Sequence, residues 1–255
     1  MVVNVLKEIF RANLIKSKVY IKDTILLVVY DFLTFVIQVM FFKIIYSHVL
    51  IIEGWEFKDI LFLLATSQII EILYYTLFFG GFASVSDWVL TGRFDHFLVL
   101  PKYRRLFMIL YEIDVKKIIS LLFPIFLLYK FAPFTSVLEI GIYILFISIG
   151  LFTRFSFGYF VSSLVLIFTR ISAIQSVEME LFSYSNFPYV IYHGLWKWVF
   201  LFIIPVGVIA NGPVSFFKEN TYFVLLISFF AGVSFFLLAN LSYKLFLKRY
   251  QSAGG

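Results

Sequence analysis

Cysteine is absent from the 255-residue chain, and charged side chains are scarce at 14% of the residues. The first absence excludes disulfides, thiolate metal sites and thiol nucleophiles. The low proportion of charged residues is unusual for a soluble domain, which carries about 25% of them. Only three histidines occur, at His48, His96 and His193, far apart and without the spacing of metal ligands. A metal site is therefore not predicted.

Two common catalytic signatures are missing as well. The sequence has no His-Glu-x-x-His segment, which would hold a catalytic zinc, and no Gly-x-Ser-x-Gly turn, which would present a nucleophilic serine. An enzyme that acts on lipids or peptides inside the membrane is therefore disfavoured.

Long apolar runs dominate what is present. Hydrophobic residues make up 62% of the chain, and its mean hydropathy is +0.98. A bilayer core about 30 Å thick needs roughly 20 apolar residues to span it as a helix. The sequence therefore predicts an all-α, polytopic membrane protein with six transmembrane helices. These candidate spans are residues 24–46, 57–80, 110–131, 137–168, 190–211 and 221–244. The fifth follows Pro188 and contains Pro205, so a broken or partly re-entrant helix is the alternative to a continuous one there.

Flanking segments complete the predicted domain plan. Residues 1–23 mix basic and apolar side chains and are predicted to lie on the membrane surface as an amphipathic helix. Residues 24–250 form one transmembrane domain, and residues 251–255 are a short tail.

Basic residues predict the orientation of the chain. Its formal net charge is +6, and with the N-terminus inside, the outer loops contain only Lys58, Lys130 and Lys218. Basic residues concentrate on the cytoplasmic side of membrane proteins, so both termini are predicted to be cytoplasmic. The same asymmetry explains the positive charge without a nucleic-acid partner.

Polar side chains within the predicted spans are candidates for a substrate path or a contact between subunits, because ionisable groups there are costly. Ser67, Gln68 and Glu71 form a stripe in the second span, and Asp31 with Gln38 forms a weaker one in the first. Arg154 is a candidate counter-charge. A purely structural role for these groups stays open. The candidates are Asp31, Gln38, Ser67, Gln68, Glu71 and Arg154.

A charged cluster lies before the third span. Glu112 with Lys116 and Asp114 with Lys117 have the spacing of neighbours on an α-helix. These pairs are predicted to neutralise one another at the cytoplasmic boundary.

Between the second and third spans, a short helix is predicted over residues 94–99. Gly92 favours a tight turn before it, Asp95 suits its first turn, and Pro101 ends it. Phe94 and Phe97, together with Leu98, would form an apolar face outside the membrane, which is typical of a docking surface. A helix lying on the bilayer is the alternative.

The string Val89-Leu-Thr-Gly-Arg-Phe-Asp-His-Phe-Leu-Val-Leu-Pro101 resembles the cytoplasmic coupling region of ABC-2 type permeases, in particular the small six-span bacterial branch. Arg93 fills a variable position, and Phe97 stands where Leu is more usual. A second similarity covers 187–192, 202–205 and 211–213, where Phe187 replaces the usual Tyr. The coupling residues that the resemblance implies are Gly92, Arg93, Phe94, Asp95, Phe97, Leu98 and Pro101.

This resemblance implies a non-catalytic permease subunit of an exporter in the bacterial plasma membrane. It would pair with a second permease chain, identical or related, and with cytoplasmic ABC ATPase subunits that hold ATP and Mg²⁺. The chain itself would bind no cofactor, and it contains no Gly-x-x-x-x-Gly-Lys-Ser/Thr loop for ATP phosphates. An ATP-independent secondary transporter or channel remains an alternative.

Overall fold

The computed structural model describes residues 2–100, 104–164, 172–248 and 250, and these residues are predominantly helical. The helices, numbered in chain order, are α1 Val2–Val19, α2 Ile21–His48, α3 Phe57–Leu90, α4 Asp95–Leu98, α5 Arg104–Ile109, α6 Leu122–Phe131, α7 Val137–Leu164, α8 Ser172–Ser183, α9 Gly194–Trp198, α10 Val206–Ile209, α11 Asn211–Glu219 and α12 Phe223–Leu247. Shorter 3₁₀ and π-helical turns adjoin them.

Within the residues that the structure describes, four helices are long and apolar enough to cross a membrane. They are α2, α3, α7 and α12, with 28, 34, 28 and 25 residues. At about 1.5 Å per residue, each exceeds the roughly 30 Å of a hydrocarbon core. They coincide with four of the six predicted spans, and the predicted all-helical fold is confirmed for the described residues.

The remaining two predicted spans are not single long helices. Residues 110–131 contain a 3₁₀ helix, Val115–Leu121, followed by the ten residues of α6. Residues 190–211 are divided among α9, a π-helical turn and α10, with Pro205 preceding α10. Proline lacks an amide hydrogen, so a continuous helix does not pass through it easily. The count of six spans therefore stays a prediction.

Successive segments meet at two opposite ends of the bundle. At one end, which we call the turn end, the Lys218 ammonium lies 2.9 Å from an Asp59 carboxylate oxygen, and the Phe134 ring packs on Phe62 and Phe217. At the other end, the hinge end, the Trp88 ring packs on Phe97, and Phe94 packs on Tyr250. Both α3 and α12 therefore run from the turn end to the hinge end.

Small side chains allow α7 to pack closely on its neighbours. The Thr153 hydroxyl donates a 2.7 Å hydrogen bond to the Ser228 carbonyl of α12, and the Phe157 ring packs on Phe235. Gly158 lies directly against the Tyr74 hydroxyl, so any larger residue there would displace that ring. By contrast, only 11% of the most apolar stretch of α2 is buried inside the protein, which leaves its apolar surface available to lipid.

Candidate functional site

An arginine inside the bundle organises the site. Arg154, on α7, is fully buried, and its Nε donates a 3.1 Å hydrogen bond to Oε1 of Glu71 on α3. Its Nη1 donates a very short hydrogen bond to Oε1 of Glu178 on α8. The Glu71 and Glu178 side chains are 18% and 3% exposed. One guanidinium thus joins three helices through two carboxylates.

Two aromatic rings enclose this guanidinium. The Arg154 Cζ atom lies 3.7 Å from the ring centroids of both Tyr74 and Phe182. Tyr74 stands one helical turn after Glu71, and Phe182 one turn after Glu178, so each helix supplies a carboxylate and a ring on the same face. The Tyr74 hydroxyl also donates a 3.1 Å hydrogen bond to Glu178. Cation–π contact and hydrogen bonding therefore replace the hydration that the arginine loses on burial.

One guanidinium nitrogen is left over. Arg154 Nη2 is buried and makes no hydrogen bond within the described part of the chain. The cluster also has two carboxylates for one guanidinium. Removal of the arginine would leave both acids in an apolar surrounding, which makes it the central residue of the cluster.

The predicted stripe in the second span reaches three different elements. The Ser67 and Ser185 hydroxyls form a 2.8 Å hydrogen bond with each other. The Gln68 amide nitrogen donates a 3.1 Å hydrogen bond to Gln38. Glu71 binds Arg154, as already described. The structure thus joins the Gln38 and Gln68 candidates of the first two spans, and places Arg154 as the counter-charge of Glu71.

Asp31 has a partner that the sequence did not indicate. Its carboxylate accepts a 2.8 Å hydrogen bond from the Lys117 ammonium and a 2.6 Å hydrogen bond from the Ser120 hydroxyl. The expected ion pairs of Lys117 with Asp114 and of Lys116 with Glu112 do not form among the described residues, so that prediction is wrong. Residues 115–121 form a 3₁₀ helix rather than an α-helix, and Asp114 caps it by accepting a hydrogen bond from the Lys116 backbone N–H. The spacing argument assumed α-helical geometry.

These polar groups open onto one cavity of about 660 Å³, bounded by α2, α3, residues 112–117 and residues 179–186. Asp31, Gln38, Gln68 and Glu71 all line it, whereas Arg154 and Glu178 lie behind its wall. A volume of this size suits a ligand of drug-like dimensions. Four of the six polar candidates therefore share one chamber.

Sequence reasoning missed Glu178 because it lies in a polar stretch between predicted spans. A signal was nevertheless present: Glu178, Phe182 and Ser185 recur at i, i+4 and i+7, the spacing of one helix face. In the structure all three are buried against other parts of the bundle. An acidic residue on such a buried helix face indicates that a cationic partner lies nearby.

The predicted coupling residues lie at the hinge end, in residues 91–100, which we call the hinge segment. The short helix there is α4, and Gly92 adopts a positive φ of 73° that favours glycine. Asp95 lies in the first turn of α4. Pro101 falls outside the described residues.

One expectation about this segment needs correction. The rings of Phe94 and Phe97 are not displayed to a partner, since they are 0% and 9% exposed. Phe97 packs on Trp88 and Tyr111, with ring centroids 4.7 and 5.6 Å away. These aromatic side chains find enough apolar surface within their own chain, and Leu98 is partly buried beside them. A Phe97→Asp change would therefore damage packing instead of testing docking.

The outward face of the hinge segment carries other residues. Arg93, His96 and Val99 are exposed and follow each other at intervals of three, whereas Phe94 and Phe97 are buried. Val99, the apolar residue of the three, is 78% exposed. Force applied to this face would reach α3 through Trp88, whose carbonyl accepts a 2.9 Å hydrogen bond from the Phe94 N–H.

Comparison with protein-family models decides the wider relationship. The model of the ABC-2 family transporter proteins matches residues 32–254, which is most of the chain. The chain belongs to the ABC-2 transporter family. No curated protein gives a significant match to its sequence. As an ABC-2 family transporter protein with several apolar helices, it is a multi-pass membrane protein.

The family also indicates the general type of subunit. ABC-2 permeases are generally non-catalytic membrane subunits, and they typically work with ATPase subunits. For this ABC-2 protein, the cavity and the hinge segment are thus candidates for handling substrate and for contact with a motor, respectively. Along α3, the cavity wall reaches Gly80, which lies about 12 Å from Trp88.

Proposed function

We propose that this protein is the transmembrane permease subunit of an ATP-driven exporter in the bacterial plasma membrane. It would form the substrate pathway with a second permease chain, identical or related. Separate cytoplasmic ABC ATPase subunits would bind ATP and Mg²⁺. The observation that carries the proposal is the family match over residues 32–254.

The arrangement of segments supports a six-span topology with both termini in the cytoplasm. The chain before α7 passes from the hinge end, where Tyr111 packs on Trp88, to the turn end, where Phe134 packs on Phe62. Between α7 and α12 it makes the same passage, since Glu178, Ser185 and Lys218 contact α3 at Tyr74, Ser67 and Asp59 in turn. Together with the four long helices, these two passages give six membrane crossings, which is an even number. The hinge end would then be cytoplasmic, in agreement with its basic residues Arg93 and Arg105.

Packing of the hinge segment supports a mechanical role. Phe94 and Phe97 attach it to α3, to Tyr111 and to Tyr250, which follows α12. Movement of an ATPase bound to its outward face would therefore be passed to several elements at once. In this proposal Arg93, His96 and Val99 touch the ATPase, and the buried rings transmit the movement.

Purification from native membranes tests the proposal. We expect the full-length chain, extracted in a mild detergent, to carry vanadate-sensitive ATP hydrolysis from a co-purifying ATPase. A chain that carries no ATPase, and that still transports after reconstitution without ATP, would instead favour a secondary transporter or channel.

A substitution on the hinge segment tests the docking face. Val99→Asp places a charge on an exposed position, so folding should be unaffected while co-purified ATPase activity falls by about tenfold, as expected for a charge desolvated in an interface. The matched control is Leu50→Asp at the turn end, where Leu50 is 87% exposed. Full ATPase activity in the Val99→Asp protein, or equal losses in both variants, would contradict the assignment of this face.

A further inference from the structure

We propose that the 660 Å³ cavity binds amphipathic organic cations, meaning compounds with a protonated amine attached to an apolar or aromatic body. The inference deepens the proposed function, on which it rests, by assigning a class of substrate to the pathway. It is carried by the charge of the cavity wall, by an unsatisfied amide within it and by its aromatic lining.

Carboxylates outnumber ammonium groups on the wall. The acidic lining residues are Asp31, Glu71, Glu112, Asp114 and Glu180, and the basic ones are Lys116 and Lys117. Lys117 is already paired with Asp31, and Glu71 with Arg154 behind the wall. Glu112 and Glu180 are exposed and form no ion pair with any described residue. The cavity therefore attracts cations and repels anions.

An orphan amide supplies a second, independent observation. Asn186 lines the cavity and is only 8% exposed, yet its Oδ1 atom has no hydrogen-bond partner among the described residues. Buried polar groups in folded proteins are nearly always satisfied, so an unpaired one beside a cavity indicates a missing partner. The oxygen itself is buried, and a rotation of the Asn186 side chain would bring it to the cavity surface, where an N–H group of a bound ammonium compound would satisfy it.

The remaining wall is suited to the body of such a compound. Tyr30, Tyr75 and Phe79 line the same cavity. Aromatic faces attract cations and also cover apolar groups, so they accept both ends of an amphipathic amine. An anionic compound of the same size would meet the same rings together with the excess of carboxylates.

A matched pair of fluorescent probes tests the charge preference. Dansylcadaverine and N-dansyl-6-aminohexanoate share a fluorophore and a similar tail but carry opposite charges. Titration into the purified full-length chain in a neutral detergent, without nucleotide, should give a Kd about tenfold lower for the cation, since one probe is attracted and the other repelled. Equal affinities, or tighter binding of the anion, would overturn the proposal.

Substitutions then locate the binding. The double change Glu112→Gln and Glu180→Gln should raise the Kd of dansylcadaverine about fivefold, while Glu53→Gln at the turn end, an exposed control, leaves it unchanged. Asn186→Asp should lower this Kd and Asn186→Leu should raise it. Should the Asn186 variants fail to fold, as judged by gel filtration, the exposed Glu112 and Glu180 positions still decide the matter. An unchanged Kd in the double variant would refute the site.

The binding assay and the ATPase assay can fail separately. Binding that follows this pattern in a chain with no ATPase would retain the cation site and reject the exporter. Vanadate-sensitive ATPase with no preference for the cation would retain the exporter and reject the cation site.

Discussion

Two ion-pair clusters border the same cavity, and they solve the problem of a charge in the membrane in different ways. Arg154 is 0% exposed and has two carboxylate partners and two aromatic neighbours. Lys117 is 21% exposed, and its partner Asp31 is 15% exposed. The first cluster buries its cation completely and reaches the cavity only at Glu71, whereas in the second both charged groups lie on the cavity and keep some access to water.

The choice of cation agrees with this difference. A guanidinium is planar, donates several hydrogen bonds in fixed directions and stacks on rings, which suits full burial between Tyr74 and Phe182. An ammonium on a flexible stem is strongly hydrated and suits a position that water can reach, such as that of Lys117. The comparison therefore predicts that the Arg154 cluster governs stability and that the Lys117 pair contributes much less.

The largest effect is expected from Arg154→Leu. The change leaves Glu71 and Glu178 without their cation, and breaking a buried ion pair from one side destabilises a protein by about 3–5 kcal/mol. A loss of this size should lower the thermal unfolding midpoint of the detergent-solubilised protein strongly or prevent its folding. The comparison breaks down if the midpoint is unchanged.

A rescue experiment separates unpaired charge from lost packing. Neutralising the two acids in the same protein, with Glu71→Gln and Glu178→Gln added to Arg154→Leu, should restore much of the unfolding midpoint, because no isolated charge then remains. If the triple variant is as unstable as Arg154→Leu alone, the contacts of the guanidinium with the two rings are the main contribution.

A smaller effect is expected from each carboxylate alone, and the two should differ. Glu178→Gln should cost more stability than Glu71→Gln, because Glu178 is the more buried acid and also accepts the Tyr74 hydroxyl. Hydrogen bonds to charged groups contribute about 1.5–3 kcal/mol, which sets the scale for Glu178. Unfolding midpoints of the two single variants provide the measurement, and the reverse order would show that exposure does not rank these acids.

Much of this architecture was predictable from the sequence. Long apolar runs identified α2, α3, α7 and α12, because helices are among the few structures that satisfy backbone hydrogen bonds in lipid. The turn at Gly92 and the short helix after it also followed from local signals. The interruption within residues 190–211 also had a local signal in Pro188 and Pro205. The interruption within residues 110–131 did not, since hydropathy reports burial in lipid and not the continuity of a helix.

The candidate site was only partly predictable. Glu71 and Arg154 were recognised because an ionisable residue within a span stands out, but their contact depends on how α3 and α7 pack. Phe94 and Phe97 show a second limit of prediction from the sequence. A sequence reveals an apolar face, while only the tertiary structure reveals whether that face is covered by its own chain or by a partner.

The smallest effect is expected at the open cluster, from Lys117→Met. Partly exposed ion pairs contribute about 0–1 kcal/mol, and the Asp31 carboxylate would keep the Ser120 hydroxyl and its access to the cavity. The unfolding midpoint should therefore shift far less than in Arg154→Leu, although one cation is removed in each case. Removing Lys117 also makes the cavity wall more acidic, so dansylcadaverine should bind more tightly to this variant. A large loss of stability in Lys117→Met would mean that both clusters are structural joints and that water access does not distinguish them.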